Sequence, residues 1–251
     1  MESRYDRTEA LIGKEALSRV MGSRVAVFGI GGVGGYAVEA LARAGVGTLD
    51  LIDSDRVSVS NINRQIIALD STVGKYKTEA AKDRIRDINP DITVNCYNFF
   101  YDESTADKIN LTDYDYVIDA IDSVGAKLFL IESCTKSGVK IISSMGTGAK
   151  LDPTALKVSD ISKTSVCPLA RAVRTGLRKR GINRLRVVYS TELPRESLSE
   201  CGEKCDGKRA PASSSFVPSV AGLILAGEVI RDISEINKKT ASEEPNENQG
   251  N

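Results

Sequence analysis

Residues 24–53 read RVAVFGIGGVGGYAVEALARAGVGTLDLID, and the order of residue types in this stretch decides the fold. Arg24–Phe28 is a short apolar, β-branched run of the kind that makes a buried strand. It passes at once into the glycine-rich GIGGVGG. Tyr36–Ala44 then carries apolar residues at helical spacing and is stopped by Gly45 and Gly47, after which Thr48–Asp53 reads as a second strand. A strand, a glycine loop, a helix and a second strand open a doubly wound, Rossmann-like α/β fold, with a mostly parallel sheet and helices on both faces.

The alternation continues in both directions. Upstream, TEALIGKEALSRV (residues 8–20) has the spacing of one helix with Thr8 as its N-cap. Downstream, helices are expected at 75–89, 126–137 and 168–180. Strands are expected at 92–97, 116–120, 139–143, 156–161 and 185–190. Residues 199–215, rich in Gly, Ser, Lys and Cys, read as a loop, and the polar 237–251 as a disordered tail. One domain over 1–236 is expected, with a basic insertion at 163–190 and a C-terminal extension. The apolar stretch Phe216–Ile230 is interrupted by Pro218 and Glu228 and falls short of the roughly 20 residues of a membrane span. It reads as a buried helix, with peripheral membrane contact as the alternative.

Composition narrows the chemistry. The chain has 251 residues, 34 basic and 34 acidic, and no histidine. Histidine-based triads, histidine metal sites and histidine general bases are therefore excluded. The N-terminal MESRYDRTEALIGKE is charged and has no apolar core of a leader, so reduced thiols in a cytoplasm are expected.

Gly29-Ile-Gly31-Gly32-Val-Gly34 satisfies the GxGxxG pattern between a strand and a helix. Glycines let backbone approach a phosphate, and the helix start supplies N–H groups and a favourable dipole. Asp53 ends the second strand, where a carboxylate holds ribose hydroxyls. A dehydrogenase is the default reading of that fingerprint. Against it stand Arg64, in Asn61-Ile-Asn-Arg64-Gln65, and Lys77, two cations suited to the larger charge of a triphosphate. Asp119-Ala-Ile-Asp122 ends a later strand, where a carboxylate can hold Mg²⁺ against phosphate oxygens. Each feature alone has a plainer meaning: glycines for tight packing, solvated cations, a helix-capping aspartate.

Taken together, GxGGVG, Asp53-x-Asp55, SNINRQ (60–65), VGKYK (73–77) and DAIDS (119–123), in this order, resemble the ubiquitin-activating-enzyme-like (ThiF-type) adenylating superfamily over roughly residues 4–150. The resemblance implies ATP–Mg²⁺ as cofactor and transfer of AMP to a carboxylate. Gly32 would contact phosphate, Asp53 the ribose, Asn61, Arg64 and Lys77 the phosphates, and Asp122 the metal. Gly29, Gly31, Gly34, Asp55 and Gln65 complete the expected nucleotide site. Arg4-Tyr-Asp-Arg7 is similar to the family's N-terminal arm, whose last arginine reaches the neighbouring subunit's ATP, so Arg7 implies a homodimer with a shared site.

Relatives that activate sulfur carriers usually hold zinc between two CxxC pairs. This chain offers only Cys201-Gly-Glu-Lys-Cys205, and two thiols without histidine do not fill a tetrahedral site, so no zinc is expected. IDAIDSV, NINRQ, TSVCPLAR and SFVPSVAGLILAGEVI together resemble the tRNA threonylcarbamoyladenosine dehydratases. The implied reaction adenylates the threonine carboxylate of the modified adenosine; an atom of the same modification's urea then closes the ring and expels AMP. A tethered nucleophile replaces a protein one. A sulfur-relay or cysteine-desulfurase partner, and a monovalent cation (Na⁺ or K⁺) at the Gly146–Lys150 loop, are further options. The runner-up is an enzyme that adenylates the C-terminal glycine of a ubiquitin-like sulfur carrier. A nicotinamide oxidoreductase and a non-catalytic scaffold come after it.

Independently, residues 163–191 contain eight basic side chains and no acidic one. On a helix starting at Pro168, Leu169, Val173 and Leu177 share one face and Arg171, Arg174 and Arg178 another. With Lys179 and Arg180, this cationic face is a candidate contact for a polyanion such as tRNA, and a solvated helix face is the alternative. Cys167, at the expected start of that helix, reads as a semi-buried thiol or, alternatively, as a thioester nucleophile. Cys96 and Cys134 read as packing residues.

Overall fold

The computed structural model describes residues 3–198 and 212–235, together with the backbone of 204–205 and 208–209. Seven strands form one sheet in the order β3-β2-β1-β4-β5-β7-β6. They are β1 (Arg24–Phe28), β2 (Thr48–Ile52), β3 (Thr93–Tyr97), β4 (Tyr116–Asp119), β5 (Ile141–Ser144), β6 (Leu156–Asp160) and β7 (Arg186–Ser190). Every pairing is parallel except the edge pair β6–β7. The central strands β1 and β4 are buried almost throughout, as expected for strands covered on both faces. This is the doubly wound α/β fold expected from residues 24–53.

The helices are α1 (Asp6–Ile12), α2 (Lys14–Met21), α3 (Gly34–Ala44), α4 (Lys77–Ile88), α5 (Val124–Ser137), α6 (Pro168–Lys179) and α7 (Val217–Ser234). Apolar faces of α2, α3, α4 and α7 build one core against the sheet. Those of α5 and α6 build another, with Leu128, Ile131, Val173 and Leu177 at its centre. The basic stretch 163–190 supplies α6 and β7, the latter hydrogen-bonded between β5 and β6.

Three expectations need correction. The single helix over 8–20 is two helices, broken at Gly13, whose φ of 84° lies outside helical space. Nor is Thr8 the cap: α1 begins at Asp6, after Tyr5, which makes no side-chain cap bond. Inside the segment read as a loop from 199 to 215, β8 (Lys204–Cys205) and β9 (Lys208–Arg209) pair antiparallel. The expected tail at 237–251 lies outside the described residues.

α7 lies against α3 so closely that a Cβ on Gly222 would overlap the carbonyl oxygen of Val33. Val217, Ala221, Leu225 and Val229 are completely buried there. Among the described residues no helix is long and apolar enough to cross a membrane.

Candidate nucleotide and substrate site

The carboxyl ends of β1, β2, β4 and β5 open into one cavity of about 900 Å³. In open α/β sheets ligands bind along this edge. Gly29 turns the chain out of β1 with φ of 87°, and a Cβ there would stand 2.7 Å from the Ala120 carbonyl oxygen. Gly34 starts α3 hard against the same turn, where a Cβ would overlap the Gly29 carbonyl oxygen. Neither position has room for a side chain, and Gly29 also lines the cavity. Gly31 differs: its nearest neighbour, Nε2 of Gln65, is 3.9 Å from where a Cβ would be, and the residue faces the cavity. Gly32 lies between Pro218 of α7 and the Arg64 side chain.

Asp53 sits just past β2 with its carboxylate fixed. Oδ2 accepts the Ile30 N–H at 2.6 Å and Oδ1 the Asp55 N–H at 2.8 Å. Burial pushes its pKa up, opposed by the nearby Lys77 ammonium and by those two backbone donors. Lys77 opens α4. Its side chain is 9% exposed, and its Nζ lies 2.6 Å from Oδ2 of Asp55 and 4.0 Å from Oδ1 of Asp53.

The segment after Asp55 brings in the remaining expected residues. Asn61 Oδ1 accepts the Ser58 N–H at 3.1 Å and holds the turn that carries Arg64. Arg64 donates to the Ser60 carbonyl and to Oδ1 of Asn63, which aligns it over Gly32. Gln65 is buried, and its Oε1 is the one buried side-chain polar atom without a hydrogen-bond partner among the described residues. Nε2 of the same amide is the atom nearest Gly31, so Gln65 turns a donor toward the glycine face.

Asp122 lines the cavity from the loop after β4 and is exposed. The loop is anchored from below. Asp119 Oδ2 accepts from Lys127 Nζ at 2.8 Å and from the Ser143 hydroxyl at 2.6 Å, and its Oδ1 accepts the Ile121 N–H. Sequence reasoning missed Lys127. Its signal was a lone lysine inside the apolar run VGAKLFLI (124–131), where only a buried partner accounts for it.

The far wall of the cavity is formed by the loop after β5 and the start of α6, including Gly146, Lys150 and Cys167. Cys167 is the residue before α6, as expected, and only 3% exposed. In the loop given as a monovalent-cation option, the Lys150 ammonium itself lies on the Gly146 carbonyl oxygen at 2.7 Å. Cys134 is buried, and burial pushes the Cys96 thiol up to about 11. Cys201 and the side chain of Cys205 lie outside the described residues.

Not every expected residue joins the site. Arg7 is exposed on α1 and does not line this cavity. The arm behind it is fastened: Arg4 donates to the Ile88 carbonyl and to Asn89 Oδ1, and Asn89 donates to the Tyr5 hydroxyl. The cationic face of α6 is smaller than the spacing implied. Arg174 turns inward onto the carbonyl and hydroxyl of Thr164, and Arg180 pairs with Glu132 at 2.9 Å. Arg171, Arg178 and Lys179 remain exposed. Helical spacing places a side chain on a face but does not show which neighbours that face meets.

Comparison with known proteins agrees with this architecture. Residues 5–250 match the ThiF family. A Bacillus subtilis protein named tRNA threonylcarbamoyladenosine dehydratase is 46% identical over 242 residues, 93% of this chain and 95% of that one. An Escherichia coli protein of the same name is 39% identical, covering 85% of each chain. Among solved structures, the E. coli tRNA N6-threonylcarbamoyladenosine dehydratase in complex with AMP superposes with a TM-score of 0.84 at 35% identity over 96% of both chains. The same protein in complex with ATP gives 0.83 at 34% identity. With its nucleotide-sized cavity built from the glycine turn, Asp53, Arg64, Lys77 and Asp122, this chain belongs to the ThiF family.

Proposed function

We propose that the protein is an ATP-dependent tRNA threonylcarbamoyladenosine dehydratase. One observation carries the reading: a single cavity gathers a glycine face open to a ligand, a fixed carboxylate, two cations and a second carboxylate, in a chain whose full-length relatives bear that name.

In this reading Asp53 receives ribose hydroxyls, because its two backbone bonds fix its orientation. Gly31 and Gly32 let the phosphates approach the start of α3, and Arg64 and Lys77 balance their charge. Asn61 holds the turn that aims Arg64, and Gln65 presents its Nε2 beside Gly31 to a nucleotide acceptor. Asp55, paired with Lys77 in the present state, releases it to the phosphates. Asp122 is the residue suited to hold Mg²⁺, which would neutralise phosphate charge during the transfer.

The threonine carboxylate of the modified nucleoside then attacks the α-phosphorus, forming an acyl–O–phosphorus bond as pyrophosphate leaves. An atom of the urea next attacks the activated carbonyl carbon, and AMP departs with the former carboxylate oxygen. The sum is loss of one water from the nucleoside for each ATP converted to AMP and pyrophosphate. No histidine is required, since the nucleophile arrives tethered to the substrate.

Two features support a homodimer with a shared site. Arg7 stands outside its own cavity although the rest of its arm is docked, and Leu11 on the same short helix is 84% exposed. The exposed Arg171, Arg178 and Lys179 would meet tRNA phosphates. A cytoplasmic setting follows from that substrate. A sulfur-relay partner would have to work through an accessible thiol, and neither Cys134 nor Cys167 is one.

The test is mass spectrometry of tRNA nucleosides after incubation with protein, ATP and Mg²⁺. Loss of one water from threonylcarbamoyladenosine, with AMP released in equal amount, is the expected result. An unchanged nucleoside, with pyrophosphate exchange that depends on a carrier protein, would refute it.

A further inference from the structure

The cavity holds a third cation that the nucleotide site does not use, and it is buried. Lys150 ends the loop after β5 and is 3% exposed. Of its three N–H donors, one reaches the Gly146 carbonyl oxygen at 2.7 Å. Among the described residues no carboxylate pairs with it. Two ionisable groups act on it: the Cys167 thiol, which stands beside Gly146, and Glu192, whose carboxylate is engaged with the N–H groups of Leu151 and Asp152 and with Arg195. Burial pulls the Lys150 pKa down, outweighing Cys167 and Glu192, which push it up. A buried charge in that condition destabilises the fold unless an anion completes it.

The sheet order says which anion. Across the carboxyl edge run β2, β1, β4 and β5, so Asp53, the glycine turn, Asp122 and Lys150 follow one another along the cavity. With the ribose at Asp53 and the phosphates at the glycine turn, Lys150 lies past the phosphates, on the side from which an acceptor must arrive. The first turn of α6 borders the same wall, with no acidic residue in it. Its dipole adds to the positive potential. A carboxylate approaching a polyanionic nucleotide is repelled, and a cation that the phosphates do not occupy removes that barrier.

We propose that Lys150 anchors the carboxylate that becomes adenylated, its ammonium holding one carboxylate oxygen while the other faces the α-phosphorus. This rests on the adenylating reading above.

The experiment uses the full chain and two tRNAs, one carrying threonylcarbamoyladenosine and one with plain adenosine at the same position. Wild type should bind the modified tRNA more tightly. Lys150→Met should erase that preference and raise the KM for modified tRNA by about tenfold or more, leaving ATP affinity within about twofold. Its thermal midpoint without ligands should be no lower than that of wild type, because an uncompensated buried charge has gone. Lys150→Gln, which keeps a donor for the Gly146 carbonyl, should lose the preference equally.

Retained preference in both variants would overturn the proposal. So would a parallel loss of ATP affinity, which would make Lys150 a phosphate ligand. A fall in kcat alone, with a shifted pH profile, would make it a proton acceptor instead. If wild type neither prefers the modified tRNA nor dehydrates it, the adenylating reading fails first, and that outcome is seen without any variant.

Discussion

Asp119 and Lys127, both fully buried, form an ion pair of 2.8 Å at the base of the loop that carries Asp122. The lysine also donates to the Ser144 carbonyl, so one ammonium ties the ends of β4 and β5 together. Both strands feed the cavity. Lys127→Met leaves the Asp119 carboxylate buried without its cation and should lower stability by about 3–5 kcal/mol. The double variant Asp119→Asn/Lys127→Met should recover much of that loss. Urea unfolding of Lys127→Met, Asp119→Asn and the double variant measures it, and a double-variant loss equal to the sum of the two single losses would mean that the pair is not coupled.

The raised pKa of Asp53 has a definite sign. Its folded value lies above the ordinary carboxylate value because burial disfavours the charge. The folded state therefore binds the proton more readily, and this group's contribution to stability is lost as pH rises through the interval between the two values. Asp53→Asn should flatten that slope and leave neutral-pH stability equal or higher, while ATP affinity falls. In wild type, ATP affinity should weaken as pH drops through the Asp53 pKa. Calorimetric ATP titration across the acidic range checks both.

Two glycines of one motif should respond oppositely. Gly34→Ala forces a Cβ into the Gly29 carbonyl oxygen and should destabilise by about 1–3 kcal/mol or more. Gly31→Ala points its methyl into the cavity and should fold normally yet lose nucleotide affinity. Thermal melts with and without ATP separate the two. Equal melting losses would place Gly31 among the packing residues.

If Arg7 acts on the neighbouring subunit, Arg7→Ala and Asp122→Asn are each inactive alone but complement when mixed. Random exchange gives heterodimers in half of the population, each with one intact site, so about one quarter of wild-type activity should return. Absence of recovery after verified subunit exchange would remove Arg7 from the shared site.

The α6 arginines should divide by their partners. Replacing Arg171, Arg178 and Lys179 with Ser should weaken tRNA binding and reduce the slope of log affinity against log salt by about two to three. Arg174→Ser, which abandons the Thr164 contacts, should instead lower stability and leave the salt slope alone. An unchanged salt slope in the triple variant would exclude this face from the tRNA contact.

The fold was legible because its signals are local. A strand such as RVAVF, buried on both faces, has to be apolar throughout, and the turn after it needs residues without a Cβ, so residues 24–53 announce a parallel α/β unit without reference to the rest of the chain. The gathering of Asp53, Arg64, Lys77 and Asp122 at one cavity was legible for the same reason, since strand ends and helix starts fix their position along one edge. The break at Gly13 was missed because a glycine within a helical pattern shows its φ only when the two flanking helices are docked.

Tertiary structure decided the charges. Sequence spacing gave Arg171, Arg174 and Arg178 a single face, yet packing turned Arg174 onto Thr164 and left the others in solvent. Nothing near Lys127 or Lys150 in the sequence distinguishes them from surface lysines except their apolar or glycine-rich surroundings. One has a buried carboxylate supplied by β4; the other, on a cavity wall, has a carbonyl and, among the described residues, no paired carboxylate. Charge–charge energies depend on distance and burial across the sheet, and the chain's linear order determines neither before it folds.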